Sequence, residues 1–243
     1  MKVLFIFRSG CESEYILSKI RRFGVKHFSI IETGEIAKKS KLKRTFSKSP
    51  LFWPRSVLDL ASVWLYSYRY TNYFKKRVTA VKVPPIVQIS DINSEACVEE
   101  IKKIHPDMIV IFGTAIVKDP FFKQVKVPIF NIHTGILPRY RNVHSEFWAY
   151  VNKDFKNIGV TIIHLNRGID SGAIALQRRS AYRNGDGLFE MRVKNIKLIP
   201  KMIEELIRLQ KQKKLPKIKQ NNKDAHFYKT PGFFDLVRFT LAK

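Results

Sequence analysis

Three side chains in this sequence could together move an acyl group onto an amine. Asn131 and His133 stand two residues apart in Asn131-Ile132-His133-Thr134-Gly135-Ile136-Leu137-Pro138-Arg139-Tyr140-Arg141, at the end of an apolar run. Asp170 sits in the Gly-flanked turn Ile169-Asp170-Ser171-Gly172. An amine attacking an acyl carbon creates an oxyanion and must lose a proton. A side-chain amide can donate a hydrogen bond to that oxyanion, an interaction worth a few kcal/mol in a water-poor site. An imidazole can take or shuttle the proton, or donate to the oxyanion when charged. A carboxylate can orient the imidazole or hold a water that relays the proton. The same residue types also fit a plainer arrangement: an Asn-x-His turn capping a strand, and an Asp in a tight turn.

The elements that must position these groups alternate between strand and helix. Residues 2–7 are apolar and branched, end at Arg8-Ser9-Gly10, and predict a buried strand leading into a helix over about 11–23. That strand-to-helix junction is a usual ligand position, because helix N–H groups point outward there. Arg8, Ser9 and Gly10 are therefore candidate substrate contacts. His27–Glu32 and Val78–Val83 read as further strands, the second broken by Pro84-Pro85. Asn93 or Ser94 caps a helix running to about 104. Met108-Ile109-Val110-Ile111-Phe112, closed by Gly113, predicts a central strand buried on both faces. Val127–Asn131 is the next strand, delivering His133 just past its end. A helix over about 144–151, strands at Gly159–Leu165 and Ala173–Gln177, and a long helix over about 187–212 follow. The fold class is α/β: an open, mostly parallel twisted sheet flanked by helices. Residues 1–212 form the expected catalytic domain; 213–243 form a basic linker and a short C-terminal appendage that docks back on the core.

The chain has 243 residues, with 45 Lys and Arg against 20 Asp and Glu, a net charge of +25. Such a balance implies an anionic partner or a lysine-rich solvated surface. The segment 38–77 concentrates it: eleven Lys and Arg face only Asp59, interleaved with Trp53, Trp64 and several Tyr and Phe. It reads as an inserted helix over about 55–76, covering the sheet or resting on anionic lipid. Cys11 and Cys97 lack CxxC spacing, so no zinc or redox motif is present, and no metal is expected. No leader or spanning segment is visible. The chain is expected in a reducing cytoplasm, with peripheral contact at the inner membrane face as a companion expectation.

The spacing also resembles a known family. Asn131-x-His133 followed by Leu137-Pro138-x-Tyr140-Arg141, with Asp170-x-Gly172 37 residues after the histidine, is similar to the signature of the folate-dependent formyltransferases. Gly159-Val160-Thr161, and Pro106-Asp107 ahead of the central strand, match as well. The resemblance covers about 80–180. It implies a Rossmann-like formyltransferase domain using 10-formyltetrahydrofolate as co-substrate, with Asn131, His133 and Asp170 as the catalytic trio. It also implies a folate pocket made by Gly113, Thr114, Ala115, Ile116 and Val117, with Leu165, Asn166 and Gly168. One departure stands out. Asn142 occupies a position where relatives usually carry Gly, and Asn is the residue that next best tolerates a left-handed backbone.

Three acceptors compete. The glycinamide-ribonucleotide type carries a Gly-rich loop after its first strand, which Arg8-Ser9-Gly10-Cys11 does not match. The methionyl-tRNA type carries a further C-terminal nucleic-acid-binding domain, whereas 31 residues follow position 212 here. The Arg141…His144-Ser145-Glu146-Phe147-Trp148-Ala149 run looks like formyltransferases acting on amino sugars in surface-polysaccharide pathways. The expected substrate is thus an anionic small molecule, a nucleotide-linked or lipid-linked amino sugar. Arg139, Tyr140, Arg141 and His144 are the further acceptor contacts, unless the first three only cap their loop. Nucleic acid is the weaker partner. The alternatives are a methionyl-tRNA formyltransferase-like enzyme, and a basic membrane- or RNA-binding relative without catalysis.

Overall fold

The computed structural model describes residues 1–20, 25–33, 68, 71–78, 85–232, 235 and 238. Its frame is a seven-stranded sheet in the order β3-β2-β1-β4-β5-β7-β8. The strands are β1 (Lys2–Arg8), β2 (Lys26–Glu32), β3 (Pro85–Ile89), β4 (Met108–Phe112), β5 (Ile129–His133), β7 (Gly159–His164) and β8 (Ile174–Arg179). The first five pair in parallel; β7 and β8 are antiparallel. Two short strands, β6 (Arg141–Asn142) and β9 (Phe227–Tyr228), pair beside the sheet.

Alternation along the strands builds two cores, because successive side chains leave a strand on opposite faces. Val3, Phe5, Phe7, Val110 and Ile132 pack with α1 (Cys11–Lys19) and with the last helix, Leu188–Lys211. Leu4, Ile6, Ile109, Ile111 and Ile129 pack with α2 (Glu95–Ile104) and α3 (Asp119–Gln124). The helix α4 (Ser145–Val151) makes a third apolar group with Tyr140, Ile158 and Met191. The last helix is numbered α5. No helix among the described residues is long and apolar enough to cross a membrane.

Several elements differ from expectation. Pro84-Pro85 reads as a break, yet Pro85 opens the strand Pro85–Ile89, and the first residue of an edge strand is one of the few strand positions that accept Pro. Helix α1 ends at Lys19, because Ile20 turns extended at φ −70°, ψ 128°. β5 runs two residues further than predicted, so His133 is its last residue rather than a loop residue. The six-residue α3 had no signal long enough to read. Most of the basic segment 38–77 and the strand expected at 78–83 lie outside the described residues. Of the expected helix over 55–76, residues 71–75 are helical.

The chain order places a switch point between β1 and β4. From β1 the chain builds outward through β2 and β3, then returns to build the other way through β4 and β5. Such a crevice, at the carboxyl ends of the strands, is where open α/β sheets bind ligands. Two side chains hold its loops. Glu32, 1% exposed, accepts from Ile92 N (2.8 Å) and Ala115 N (2.9 Å). Asn93 accepts from Lys118 N (2.7 Å) and donates to the Ile116 carbonyl (3.0 Å). Glu32→Ala leaves two backbone N–H groups without their acceptor and is expected to lower stability by about 1–3 kcal/mol. Urea unfolding measures this; an unchanged midpoint at unchanged slope would show that the loops do not depend on Glu32.

Candidate active site

On β5, Phe130 and Ile132 point into the core beneath α1 and α5, so Asn131 and His133 share the opposite face. Asp170 arrives from the turn after β7. Its backbone is left-handed, φ +49°, and Gly172 lies so close to β7 that a Cβ there would strike the His164 carbonyl oxygen. The three side chains meet. Asn131 Nδ2 donates to Asp170 Oδ1 at 3.3 Å, and His133 Nδ1 lies 3.4 Å from Asp170 Oδ2. Asn142 N donates to the same Oδ2 at 2.8 Å. His133 Nε2 lies 2.7 Å from the Tyr140 carbonyl oxygen and 3.2 Å from Ser145 Oγ. A carbonyl only accepts, so Nε2 carries hydrogen, and Nδ1 is the ring atom that faces the Asp170 carboxylate.

The residues behind this contact explain the motif. Thr161 Oγ1 donates to Gly135 O (2.6 Å) and accepts from Leu137 N (3.2 Å), so the strand Gly159-Val160-Thr161 holds the loop after His133. Gln177 Nε2 donates to the Leu137 carbonyl at 2.9 Å. Gly135 must be Gly: a Cβ there would sit 2.6 Å from His133 Nε2. Asn142 takes φ +75°, so the left-handed turn survives without Gly, and its Nδ2 donates to the Tyr228 carbonyl at 2.8 Å.

A cleft of about 810 Å³ opens over the trio. Its lining includes Asn131, His133 and Asp170, all eight residues expected at the folate (Gly113, Thr114, Ala115, Ile116, Val117, Leu165, Asn166, Gly168), and Arg8, Ser9, Gly10 and His144. Arg139, Tyr140 and Arg141 do not line it. Arg139 Nε donates to Asp154 Oδ2 at 2.6 Å, and the Tyr140 hydroxyl to the same oxygen at 3.0 Å. Arg141 Nη2 binds Gln220 Oε1 (2.8 Å) and Asn222 Oδ1 (2.9 Å). These contacts brace the loop, and none of the three side chains lines the cleft. Burial, ahead of the neighbouring Asp154 charge, pushes the Tyr140 hydroxyl up to about 12.

The sequence reading missed one wall. Arg192 of α5 binds both oxygens of Glu12 (2.8 Å each), Glu146 Oε1 (3.1 Å) and the Thr134 hydroxyl. Asn195 Nδ2 donates to the same Glu146 oxygen at 2.9 Å. Glu12 and Arg192 are 180 residues apart, so only the packing of α1 on α5 could reveal the pair. Among the described residues no group of three His, Cys, Asp or Glu is placed to hold a metal ion.

A family model described as Formyl transferase matches residues 70–195, just over half of the chain. A methionyl-tRNA formyltransferase of Methylacidiphilum infernorum is 29% identical over 146 residues, 59% of this chain and 45% of the relative. The chain spans less than half the length of the first curated relatives it matches. A 4-N formyltransferase from Francisella tularensis superposes with a TM-score of 0.62 at 14% identity, covering 99% of this chain and 87% of that one. A sugar 3N-formyl transferase solved in the presence of dTDP and 5-N-formyl-THF gives 0.59 at 17% identity, covering 100% and 78%.

The brace behind His133 has a pH signature. Burial disfavours the Asp154 carboxylate, but hydrogen bonds from Asn157, Tyr140 and Arg139 outweigh it and hold the group below its ordinary value. A depressed carboxyl stabilises the fold above the unfolded value, roughly pH 4, and that contribution is lost as pH falls through the folded value. Asp154→Asn is therefore expected to lower the urea midpoint at pH 7, with the gap from wild type narrowing below about pH 4. A gap independent of pH would show that the carboxylate's charge plays no part.

Proposed function

The chain belongs to the formyl transferase family, and from that premise we propose that it transfers the formyl group of 10-formyltetrahydrofolate to a primary amine, the amino group of a nucleotide-linked amino sugar. The observation that carries the reaction is the contact of Asn131, His133 and Asp170 at the floor of one cleft. Its size suits a small-molecule site. The acceptor is supported by the sugar 3N-formyl transferase that superposes along the whole chain and was solved in the presence of dTDP and 5-N-formyl-THF.

The residues present fit a folate. The loop 113–117 and Leu165, Asn166 and Gly168 line the cleft with the apolar side chains of Ile116, Val117 and Leu165 beside the polar ones of Thr114 and Asn166. That lining suits a flat heteroaromatic ring. When bound, the folate supplies an activated formyl carbon. Asn131 Nδ2 is the donor for charge developing on the formyl oxygen, and the Nδ1–H of a charged His133 ring would be a second. Asp170 fixes the imidazole and takes the proton that the attacking amine sheds, directly or through a water. The Tyr140 carbonyl holds Nε2, so the ring keeps one orientation through the reaction. Of the arginines on the cleft, Arg167 pairs with Asp119 and Arg192 with Glu12 and Glu146. Arg8 makes no ion pair among the described residues, and with Ser9 and Gly10 it is the proposed contact for an anionic carrier.

A tRNA acceptor is the second reading, favoured by the curated methionyl-tRNA relatives and by the +25 charge. One assay compares them. Labelled 10-formyltetrahydrofolate is offered with dTDP- and UDP-linked amino sugars, and separately with methionyl-tRNA. Formylation of a sugar amine is expected, and transfer to tRNA alone would move the acceptor to the second reading. His133→Ala and Asp170→Asn are each expected to lose on the order of 100-fold or more in turnover while keeping the unfolding midpoint. Near-normal turnover in either variant would remove the trio from the mechanism.

A further inference from the structure

After α5 the chain runs as a strap past the edge strand β8. It is fixed at several points. His164 Nε2 donates to the Pro216 carbonyl at 2.8 Å. Ile174 and Ile218 exchange both backbone hydrogen bonds, at 2.8 and 3.0 Å. Further on, Arg141 N donates to His226 O (3.0 Å), and Trp148 Nε1 to Lys229 O (3.0 Å). Between these anchors the strap is exposed from Pro216 to Asp224, with one exception. Gln220 is 7% exposed.

Gln220 uses its whole amide on the loops of the trio. Its Nε2 donates to Asp170 O at 2.8 Å and to Gly172 O at 2.7 Å. Its Oε1 accepts from Arg141 Nη2 at 2.8 Å. Asp170 needs such support. A non-Gly residue at φ +49° stands in a sparsely populated region and persists only where its surroundings hold it. The two carbonyls on either side of Ser171 are tied to one NH₂ group, which fixes how the turn presents its carboxylate. The oxygen end reaches Arg141, whose next residue, Asn142, donates its N–H to Asp170 Oδ2. One side chain thus joins the backbone of the Asp170 turn to the strand that also holds the Asp170 carboxylate.

We infer that Gln220 is a positioning residue, setting the Asp170 carboxylate against His133 without lining the cleft itself. Its catalytic consequence rests on the formyl-transfer reading; its effect on the His133–Asp170 contact does not. The strap has backbone anchors on both sides of Gln220, so retention of the strap does not depend on this side chain. The two donors are spent on the turn.

Two variants separate these roles. Gln220→Met keeps length and apolar bulk but no hydrogen bonds. Gln220→Glu keeps an acceptor for Arg141 and removes both donors. The readout is the His133 ring ¹⁵N signal followed through a pH titration by NMR. It is assigned among the six histidines by its loss in His133→Ala. Asp170→Asn sets the scale by removing the carboxylate. Both Gln220 variants are expected to move the His133 titration in the same direction as Asp170→Asn, by a smaller amount. In formyl transfer they are expected to lose about ten- to a hundredfold in kcat with the folate KM unchanged. His133 titrations identical to wild type in both variants overturn the inference, as does an Asp170→Asn titration that does not move. Absence of formyl transfer by the wild-type chain would overturn the functional reading alone, leaving the NMR comparison to decide the positioning role.

Discussion

The site depends on one carboxylate held in an unfavourable backbone. Asp170 sits at φ +49°, and its oxygens meet Asn131, His133 and the Asn142 N–H. The partners come from two parts of the chain: Asn131 and His133 from the end of β5, and Asn142 from β6. A carboxylate so placed can orient an imidazole and accept a proton only if its turn does not relax. Gly172 against β7 and the Gln220 amide hold the turn from outside the cleft.

The sheet makes this meeting possible. Parallel β1, β4 and β5 end together, so Arg8, Gly113 and His133 open onto one crevice. The antiparallel β7 then passes beside β5, pairing Thr161 with His133 and directing the Asp170 turn back over the strand end. Apolar alternation in two cores keeps that geometry rigid, while Glu32 and Asn93 hold the loops that would receive a folate ring.

Much of this was legible in the residues, for physical reasons that also explain what was not. The apolar runs at 3–7 and 108–112 are buried on both faces, and their length and turn-bounded ends suit strands rather than helices. Asn131, His133 and Asp170 were legible as candidate chemistry because an amide, an imidazole and a carboxylate are the groups that stabilise an oxyanion and move a proton. Asn142 was legible as a left-handed residue because Asn there replaces the Gly that relatives usually carry and tolerates that backbone next best. The arginines of the loop were not. Whether a cation faces a ligand or a buried Asp154 is decided by residues fifteen positions away, and for Arg141 by Gln220, 79 away. The Arg192 network and the β6–β9 pair rest on still longer separations, and no local pattern encodes them.

The crevice beyond β1, β4 and β5, onto which His133 opens, is the proposed reduced-folate site. Its most direct test is a titration of the protein with 5-formyltetrahydrofolate, followed by calorimetry and backbone hydrogen exchange. Saturable binding of one folate per chain is expected, with protection gathered at residues 113–117 and 165–170. Absence of saturable binding, or protection at a different surface, would contradict it.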